Sequence, residues 1–288
     1  MQRSLSEAAT YVLGQFGRLG IEVPERSRIK TIYRSVCNDD GSSRGLIQEN
    51  DPDFDITREA LRDFKQLEFF FDQIGDDARK DEYVSVLKKI AKDSDSVLPQ
   101  DDEQDSPSRD AQAEAFVFAG CLKAGLNPSF KEPDVVCSLD GQEFPIAVKR
   151  IKNLKQLVKR ISIGASQIAQ IGGHGIVAVD VVIAMNPKNY RMIAKVPDIF
   201  FGLTWMCHLR NVVNKYHAKI QRVIQKKGVL AVILHDHWLR MDSHSHWRLE
   251  TMTYRIPSTA IDRSVENRLE AFTQKYRRAF PNLTILTK

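Results

Sequence analysis

The stretch Pro133-Asp-Val-Val-Cys-Ser-Leu-Asp-Gly-Gln-Glu-Phe-Pro-Ile-Ala-Val-Lys-Arg150 decides the fold of the second half of this chain. Two short apolar runs flank Asp140-Gly141, a dipeptide that strongly favours a two-residue hairpin loop. Counting back from that loop along both strands puts Asp134 directly opposite Ala147. Residues in such a pair share one face of the hairpin, with their Cβ atoms about 5 Å apart.

Side chains alternate along a strand, so Lys149 joins Asp134 and Ala147 on the same face. The other face carries apolar side chains that we expect to belong to the core, namely Val135, Cys137, Ile146 and Val148. The hairpin is therefore predicted to bring an acid and a lysine together on one side and to bury the other side.

At these residues the chain resembles the PD-(D/E)xK phosphodiesterases of the restriction-endonuclease-like fold. The signature of that family is Pro-Asp on one strand and acid-x-Lys on the next. Pro133-Asp134 and Lys149 match it, whereas position 147 holds alanine in place of the acid. The resemblance covers roughly Arg109 to Val182, because a helix precedes the hairpin and a helix and a buried strand follow it.

The resemblance implies hydrolysis of phosphodiesters with Mg²⁺ or Mn²⁺. Such an ion takes oxygen ligands, usually one or two protein carboxylates, and activates a water molecule. Asp134 would be one ligand and a carboxylate at position 147 the other, while Lys149 would orient the water or stabilise the developing charge. With Ala147 this chain is expected to be catalytically impaired. A surface hairpin with an incidental acid and lysine is the alternative.

Two further site residues follow from the resemblance. A helix is predicted from Ser106 to about Ala124, and Glu114 lies on its otherwise apolar face. The family often has a metal-binding glutamate on this helix, so Glu114 is expected to join Asp134 as a metal ligand; the alternative is an early-turn acid favoured by the helix dipole. Gln167 matches a glutamine that several branches of the family direct at the site.

The helix predicted from Lys152 to Ile171 starts with positive charges only. Its lysines recur at spacings of three and four and therefore line one flank. Because they follow the predicted site directly, we expect them to contact the phosphates of nucleic acid, above all DNA. The residues in this prediction are Arg150, Lys152, Lys155, Lys159 and Arg160; an ordinary solvated face is the alternative.

The composition of the 288 residues is that of a globular protein, and the net charge of +5 is compatible with nucleic acid without requiring it. The four cysteines lack metal-binding spacing and are expected to be free thiols in a reducing cytosol. We find no signal-peptide core and no apolar run of the roughly 20 residues that span a membrane. A cytoplasmic protein without a membrane partner is therefore expected.

Apolar periodicity predicts three regions. Residues 1–92 are expected to form a separate helical domain for adaptor contacts or homo-oligomerisation, with helices over 4–18, 26–37, 57–74 and 81–91. Residues 93–105 are an acidic linker. Residues 106–288 are expected to form an α/β domain with a mixed central sheet flanked by helices, and the resemblance implies that this domain is restriction-endonuclease-like. Its later elements are strands over 175–184 and 229–234, helices over 207–227 and 260–280, and an edge strand over 283–286.

Two His-x-His pairs, His235 with His237 and His244 with His246, can each present imidazoles on one strand face and bind Zn²⁺. Histidines that are exposed or hydrogen-bonded are the alternative. Asp180, inside a predicted buried strand, is expected to be structural.

The leading function that the resemblance implies is a metal-dependent DNA nuclease acting in restriction, repair or anti-phage defence. Because Asp134 and Lys149 survive, Ala147 favours a deliberate replacement of a glutamate over gradual loss of the site. The alternative is a non-catalytic nuclease-fold protein that binds nucleic acid or another protein. A third hypothesis is a scaffold in which the N-terminal helices carry the function.

Overall fold

The computed structural model describes residues 3–38, 40–44, 54–75, 81–92, 106–172, 174–185, 198–241, 247–259 and 262–285. The chain forms two compact units. The first comprises Met1–Ala119, Lys188–Ile193 and Trp238–Glu250, and the second comprises Gly120–Pro187, Ala194–His237 and Thr251–Lys288. The linker predicted over 93–105 lies outside the described residues.

The first unit contains α1 (Leu5–Arg18), α2 (Arg28–Val36), α3 (Phe54–Ile74), α4 (Asp81–Ala91) and the first part of α5 (Pro107–Lys123). All five helices are predicted by the sequence to within a few residues. The Ser4 and Glu7 side chains form a capping box at the start of α1. Aromatic rings fill the core of this unit, among them Phe16, Phe70, Phe71, Tyr83 and Phe118.

A buried ionic cluster joins three helices of the first unit. The carboxylate of Asp63 on α3 accepts hydrogen bonds from Arg28 on α2 and from Arg109 on α5, the latter at 3.1 Å. Arg62 Nη2 lies 3.3 Å from the same carboxylate. Gln112 accepts from Arg28 Nη2 at 2.7 Å. The start of α5 is therefore fixed to α2 and α3 by charge-assisted hydrogen bonds.

A mixed sheet forms the α/β part of the chain, as the sequence predicts, and it has seven strands. Its strands are adjacent in chain order: β1 (Pro128–Lys131), β2 (Asp134–Leu139), β3 (Gln142–Arg150), β4 (Ile176–Asp180), β5 (Ala231–Met241), β6 (Trp247–Pro257) and β7 (Leu283–Ile285). Strands β1 to β3 are antiparallel, β3 to β5 are parallel, and β7 runs parallel to β6.

Helices cover both faces of this sheet in the second unit. They are α6 (Leu157–Gln170), α7 (Val182–Met185), α8 (Asp198–Lys227) and α9 (Arg263–Tyr276). Gly164 of α6 lies over Ala147 of β3. Phe144, which points to the opposite face of β3, stacks on Phe272 of α9 with ring centroids 4.5 Å apart. The layers are therefore α6, sheet and α9.

Several predicted boundaries are wrong, and side-chain caps explain two of them. Strand β4 ends at Asp180 rather than at 184, because Asp180 Oδ1 accepts the Val182 N–H at 2.9 Å and the chain turns into α7. The helix predicted from Lys152 begins only at Leu157, after a 3₁₀ turn (Leu154–Gln156) in which the Lys155 N–H donates to Asn153 Oδ1 at 2.8 Å.

Strands β1 and β6 are absent from the predictions; β1 has only four residues and begins with proline, which gives periodicity too short a segment to detect. Helix α8 starts at Asp198, nine residues before the predicted start at Cys207. All four cysteines are free thiols, and Cys207 alone among them is exposed. Among the described residues, no helix combines the length and apolar character needed to cross a membrane.

Candidate active site

The hairpin has the register that its Asp-Gly loop predicts. Leu139 pairs with Gln142, and Val135 pairs with Ile146. Asp140 and Gly141 have φ angles of 51° and 77°, both in the left-handed region that a two-residue loop of this kind requires. Local turn chemistry therefore aligns the two strands that carry the candidate residues.

Asp134 and Lys149 meet on one face of the hairpin. The Lys149 ammonium donates to Asp134 Oδ2 at 2.8 Å and to the Val148 carbonyl oxygen at 2.7 Å. The Val148 N–H also donates to Asp134 Oδ2, at 2.7 Å. Each of the two charged side chains is only 13% exposed. The predicted convergence of the acid and the lysine is confirmed, and the pair is more enclosed than a surface hairpin would make it.

Burial dominates the electrostatics of Asp134. It raises the pKa of this carboxyl above its ordinary value, and the Lys149 ammonium and the Val148 N–H offset only part of that effect. The carboxylate thus depends on Lys149 to remain charged, and removal of the ammonium would leave it without its cationic partner.

Ala147 lies beneath α6 and not beside an open cleft. Its side chain is fully buried. A Cβ added to Gly164 would lie 3.2 Å from Ala147 Cβ and 2.9 Å from a methyl group of Val177, so the helix backbone passes close to the strands there. Both faces of β3 are therefore packed at position 147, whereas the sequence pattern predicts core packing only on the face opposite Asp134 and Lys149. A glycine inside an amphipathic helix is the sequence signal for such close packing.

The hairpin supplies only part of the ligand set that a divalent metal ion needs. Mg²⁺ usually binds one or two protein carboxylates together with several waters. Asp134 supplies one carboxylate, and its Oδ2 already accepts two hydrogen bonds, while Ala147 supplies none. Within the described ranges, no three His, Cys, Asp or Glu side chains are grouped as metal ligands. We therefore derive no chemical step through an ion at this site.

The two residues predicted from the flanking helices lie in different units. Glu114 is half-buried on α5 in the first unit, and its role as a metal ligand stays a prediction. Gln167 lies on α6, three residues after Gly164 and thus near the same side of the helix. Its Oε1 atom is buried and has no hydrogen-bond partner among the described residues. A buried amide oxygen without a hydrogen-bond partner lowers the stability of the folded protein. Such an atom is compatible with the predicted role of Gln167 at the active site, which also stays a prediction.

The predicted basic flank does not form one helical stripe. Lys152 and Lys155 precede α6, so helical spacing relates neither of them to Lys159. Lys155 and Lys159 are exposed, whereas Lys152 and Arg160 are half-buried. Arg150 points to the face opposite Lys149, because neighbours on a strand alternate.

The first His-x-His pair, His235 and His237, makes hydrogen bonds within the protein. His235 Nε2 lies 3.3 Å from the Tyr276 hydroxyl, and burial lowers the pKa of His235 to about 3, which keeps the ring neutral. His237 Nδ1 lies 3.0 Å from Thr251 Oγ1. His244 and His246 lie outside the described residues. His235 and His237 are therefore hydrogen-bonded, which was the alternative to zinc binding.

Neither a scan against protein-family models nor a search of curated proteins finds a match to this chain. The resemblance to the PD-(D/E)xK family therefore rests on Pro133-Asp134, on Lys149 and on the elements around them. Ala147 is the departure from that pattern.

Proposed function

We propose that this chain is a nuclease-fold protein of the PD-(D/E)xK type that acts on the phosphodiester backbone of DNA. The observation that carries the proposal is the Asp134–Lys149 pair, joined at 2.8 Å across adjacent strands. The order α5, β2, β3, α6 and β4 supports it, because the resembled family has this succession of helix, hairpin, helix and buried strand. Restriction, repair or anti-phage defence is the setting that the resemblance suggests.

Lys149 supplies the chemistry that this chain retains. A largely buried ammonium is less screened than one at the surface, so it interacts more strongly with a charged phosphoryl oxygen. Asp134 holds the ammonium in position through Oδ2, and the Val148 backbone fixes both side chains. Stabilising charge that develops on the phosphoryl oxygens is a recognised route to faster phosphodiester cleavage.

Ala147 accounts for the impaired form of the enzyme in this proposal. Its methyl group offers no oxygen to a metal ion or a water molecule. Since hydrolysis needs an activated water, the chain as it stands is expected to bind DNA and to cleave it weakly or not at all.

The first prediction concerns Ala147→Glu. With Mg²⁺ or Mn²⁺ this variant is expected to nick plasmid DNA, because a second carboxylate would stand on the same face as Asp134 and Lys149. The glutamate would be buried beneath α6, so without metal the variant should melt at a lower temperature than the parent. Added metal should then raise its melting temperature more than it raises that of the parent.

Lys149→Ala in the Ala147→Glu background is the control and should abolish the nicking that the glutamate introduces. Activity is measured on supercoiled and linear DNA and on RNA, and the metal response by thermal shift. A folded Ala147→Glu protein that neither responds to metal nor cleaves any of these substrates would overturn the nuclease proposal.

A second candidate function is a non-catalytic module that binds nucleic acid. The observation that favours it is the packing of Ala147 against Gly164 and Val177, because there position 147 is part of the core contact between β3 and α6. This function predicts DNA binding in the parent and no gain of cleavage in Ala147→Glu.

A further inference from the structure

Helix α8 carries positive charge and no acid after its first residue, Asp198. Acidic residues make up 37 of the 288 residues, about one in eight, yet none lies between Asp198 and Asp236. The same span contains six lysines and arginines: Arg210, Lys215, Lys219, Arg222, Lys226 and Lys227. An ordinary solvated helix mixes both signs, since pairs of opposite charge at spacings of three and four stabilise it.

The cations of α8 lie on its exposed side. Lys215, Lys219, Arg222 and Lys226 are exposed, recur at spacings of three and four along one side of the helix, and are called the α8 basic face below. The opposite side is buried through Leu209, Val213, Ile220 and Ile224. Gln221 donates to the Pro257 carbonyl oxygen at 2.6 Å, and Gln225 donates to Thr259 Oγ1 at 2.6 Å. The helix is thus held firmly, and its basic side is turned to solvent.

Carboxylates do not neutralise this face within the described part of the chain. No ion pair joins Lys215, Lys219, Arg222 or Lys226 to an acid among the residues that the structure describes. Helix α9 is different, because Glu266 and Glu270 alternate with its cations and Glu270 is bonded to Arg255. The sign of the charge on α8 is therefore a property of this helix and not of every helix in the second unit.

Helix α6 extends the same uniform charge. It packs against α8, and no acid lies between Glu143 and Asp180. Lys155, just before α6, and Lys159, in its first turn, are exposed. Because α6 covers the face of β3 that carries Ala147, and Lys149 points to that face, the two helices form a basic layer on the side of the sheet with the candidate active site.

We propose that the α8 basic face binds the phosphate backbone of DNA. The inference rests on the proposed function and extends it, since it assigns substrate contacts to a helix outside the hairpin and α6. From Lys215 to Lys226 the face covers about 17 Å at 1.5 Å per residue. That length corresponds to about five base pairs of duplex, so several cations can meet successive phosphates.

The composition of the face distinguishes nucleic acid from a membrane surface. The other exposed residues that the structure describes on α8 are small, polar or charged, namely Cys207, His208, Arg210, Asn211, Asn214, Ala218 and Gln225. Helices that bind membranes also need large apolar side chains to enter the lipid. Among the described residues, the large hydrophobic side chains that are exposed are Ile163 and Ile171, and neither lies on α8.

The test replaces four cations together: Lys215→Gln, Lys219→Gln, Arg222→Gln and Lys226→Gln. Glutamine is a good helix former, so α8 should remain folded, and circular dichroism and thermal melting check that it does. Binding of a labelled DNA duplex is measured by fluorescence anisotropy between about 50 and 200 mM salt. Affinity at the low-salt end should fall about tenfold or more, and the slope of log K against log salt should flatten by about 3.6 if all four residues contact phosphates.

A matched control removes the same charge from the other face of the sheet through Arg263→Gln, Lys275→Gln, Arg277→Gln and Arg278→Gln, which lie on or just after α9. This control should keep the affinity and salt slope of the parent, apart from the small decrease in affinity that any loss of net positive charge causes. Equal losses in both variants would overturn the assignment to α8, as would an α8 variant that binds like the parent. Binding of the parent to anionic vesicles but to no nucleic acid would also overturn it.

DNA binding by the α8 variant and DNA cleavage by Ala147→Glu test this inference and the proposed function separately. If DNA binding depends on α8 while Ala147→Glu never gains cleavage, the inference stands and the nuclease proposal fails. If Ala147→Glu cleaves DNA while the α8 variant matches its control, the nuclease proposal stands and the inference fails. Parallel titrations with single-stranded DNA and RNA identify the form of backbone, because the slope lost per contact is about 0.7 for single strands and about 0.9 for duplex.

Discussion

At the scale of single residues, the candidate site depends on one buried ion pair. Lys149 and Asp134 are each 13% exposed, and each is the other's charged partner. Such a pair adds little to stability over an apolar pair of similar volume, because both charges are taken out of water. Removing one partner is costly for the same reason, so the pair is better explained by a use for its charges than by stability.

The corresponding prediction is that Lys149→Met destabilises the protein at neutral pH by about 3 kcal/mol, since it leaves a buried carboxylate without its cation. The pKa of Asp134 is already raised in the folded protein and would rise further without Lys149. The folded state then binds a proton more tightly than the unfolded chain, so the loss is complete above that raised pKa and shrinks as the pH falls through it. Urea denaturation at about pH 7 and about pH 4.5 measures both values.

Asp134→Asn combined with Lys149→Met is the control. It removes both charges, so the double variant should be more stable at pH 7 than Lys149→Met alone, and a double-mutant cycle gives the coupling energy. A Lys149→Met penalty that does not change with pH would show that lost packing, and not the stranded charge of Asp134, causes the destabilisation.

At the scale of elements, the close approach of α6 to β3 determines the space at the site. Gly164 has no side chain, so the helix backbone lies directly over Ala147 and Val177. A glycine inside a helix costs up to about 1 kcal/mol relative to alanine, and here the close approach explains why it is present.

Gly164→Ala is therefore expected to destabilise the protein by about 1–3 kcal/mol, because the new methyl group would stand 2.9 Å from a methyl group of Val177 and 3.2 Å from Ala147 Cβ. The control is Gly14→Ala on α1, where an added Cβ meets nothing within 4 Å. That change should stabilise the protein by roughly 0.5–1 kcal/mol through helix propensity. Thermal melting of the two variants gives the comparison, and a stabilising Gly164→Ala would contradict the close packing.

At the scale of the whole molecule, the charged cluster at Asp63 holds the helices of the first unit together. Three arginines from α2, α3 and α5 lie around one carboxylate, and Arg28, Asp63 and Arg109 are all buried. Burial by itself would raise the pKa of Asp63, but Arg28, Arg62 and Arg109 outweigh it and lower that pKa. Loss of this one carboxylate would leave buried guanidinium groups without their shared acceptor.

Asp63→Asn is expected to lower the free energy of unfolding by about 3–5 kcal/mol at neutral pH. Because the pKa of Asp63 is lowered in the folded state, its contribution is present above the unfolded pKa and is lost as the pH falls through the folded value. Hydrogen exchange should show reduced protection in α2 and α3 of the first unit.

Asp72→Asn on the same helix is the matched control. Asp72 is 40% exposed and pairs with Arg3, so its loss should cost no more than about 1 kcal/mol. Protection in α2 and α3 that is equal in the two variants would show that the Asp63 cluster does not organise this unit.

The sequence by itself determined the features that depend on neighbours along the chain. The Asp140-Gly141 loop needs two left-handed residues and set the register that joins Asp134 to Lys149. Apolar periodicity gave helices α1 to α5 and the α/β character of the sheet, because the repeat of each element must match the face that it buries. The metal ligands, the catalytic role and the separate N-terminal domain remain predictions.

Only the tertiary structure decided the features that depend on residues distant in sequence. The burial of Ala147 requires α6 to cross β3 at Gly164, and the grouping of Asp63 with Arg28 and Arg109 requires three helices to meet. Asp180 ends β4, and Asn153 stabilises the turn that delays the start of α6. Both act through side-chain hydrogen bonds, which apolar periodicity does not predict. The basic face of α8 is visible as composition, but its relation to the site depends on packing against α6, since contacts between distant segments are set by the folded core and not by local pattern.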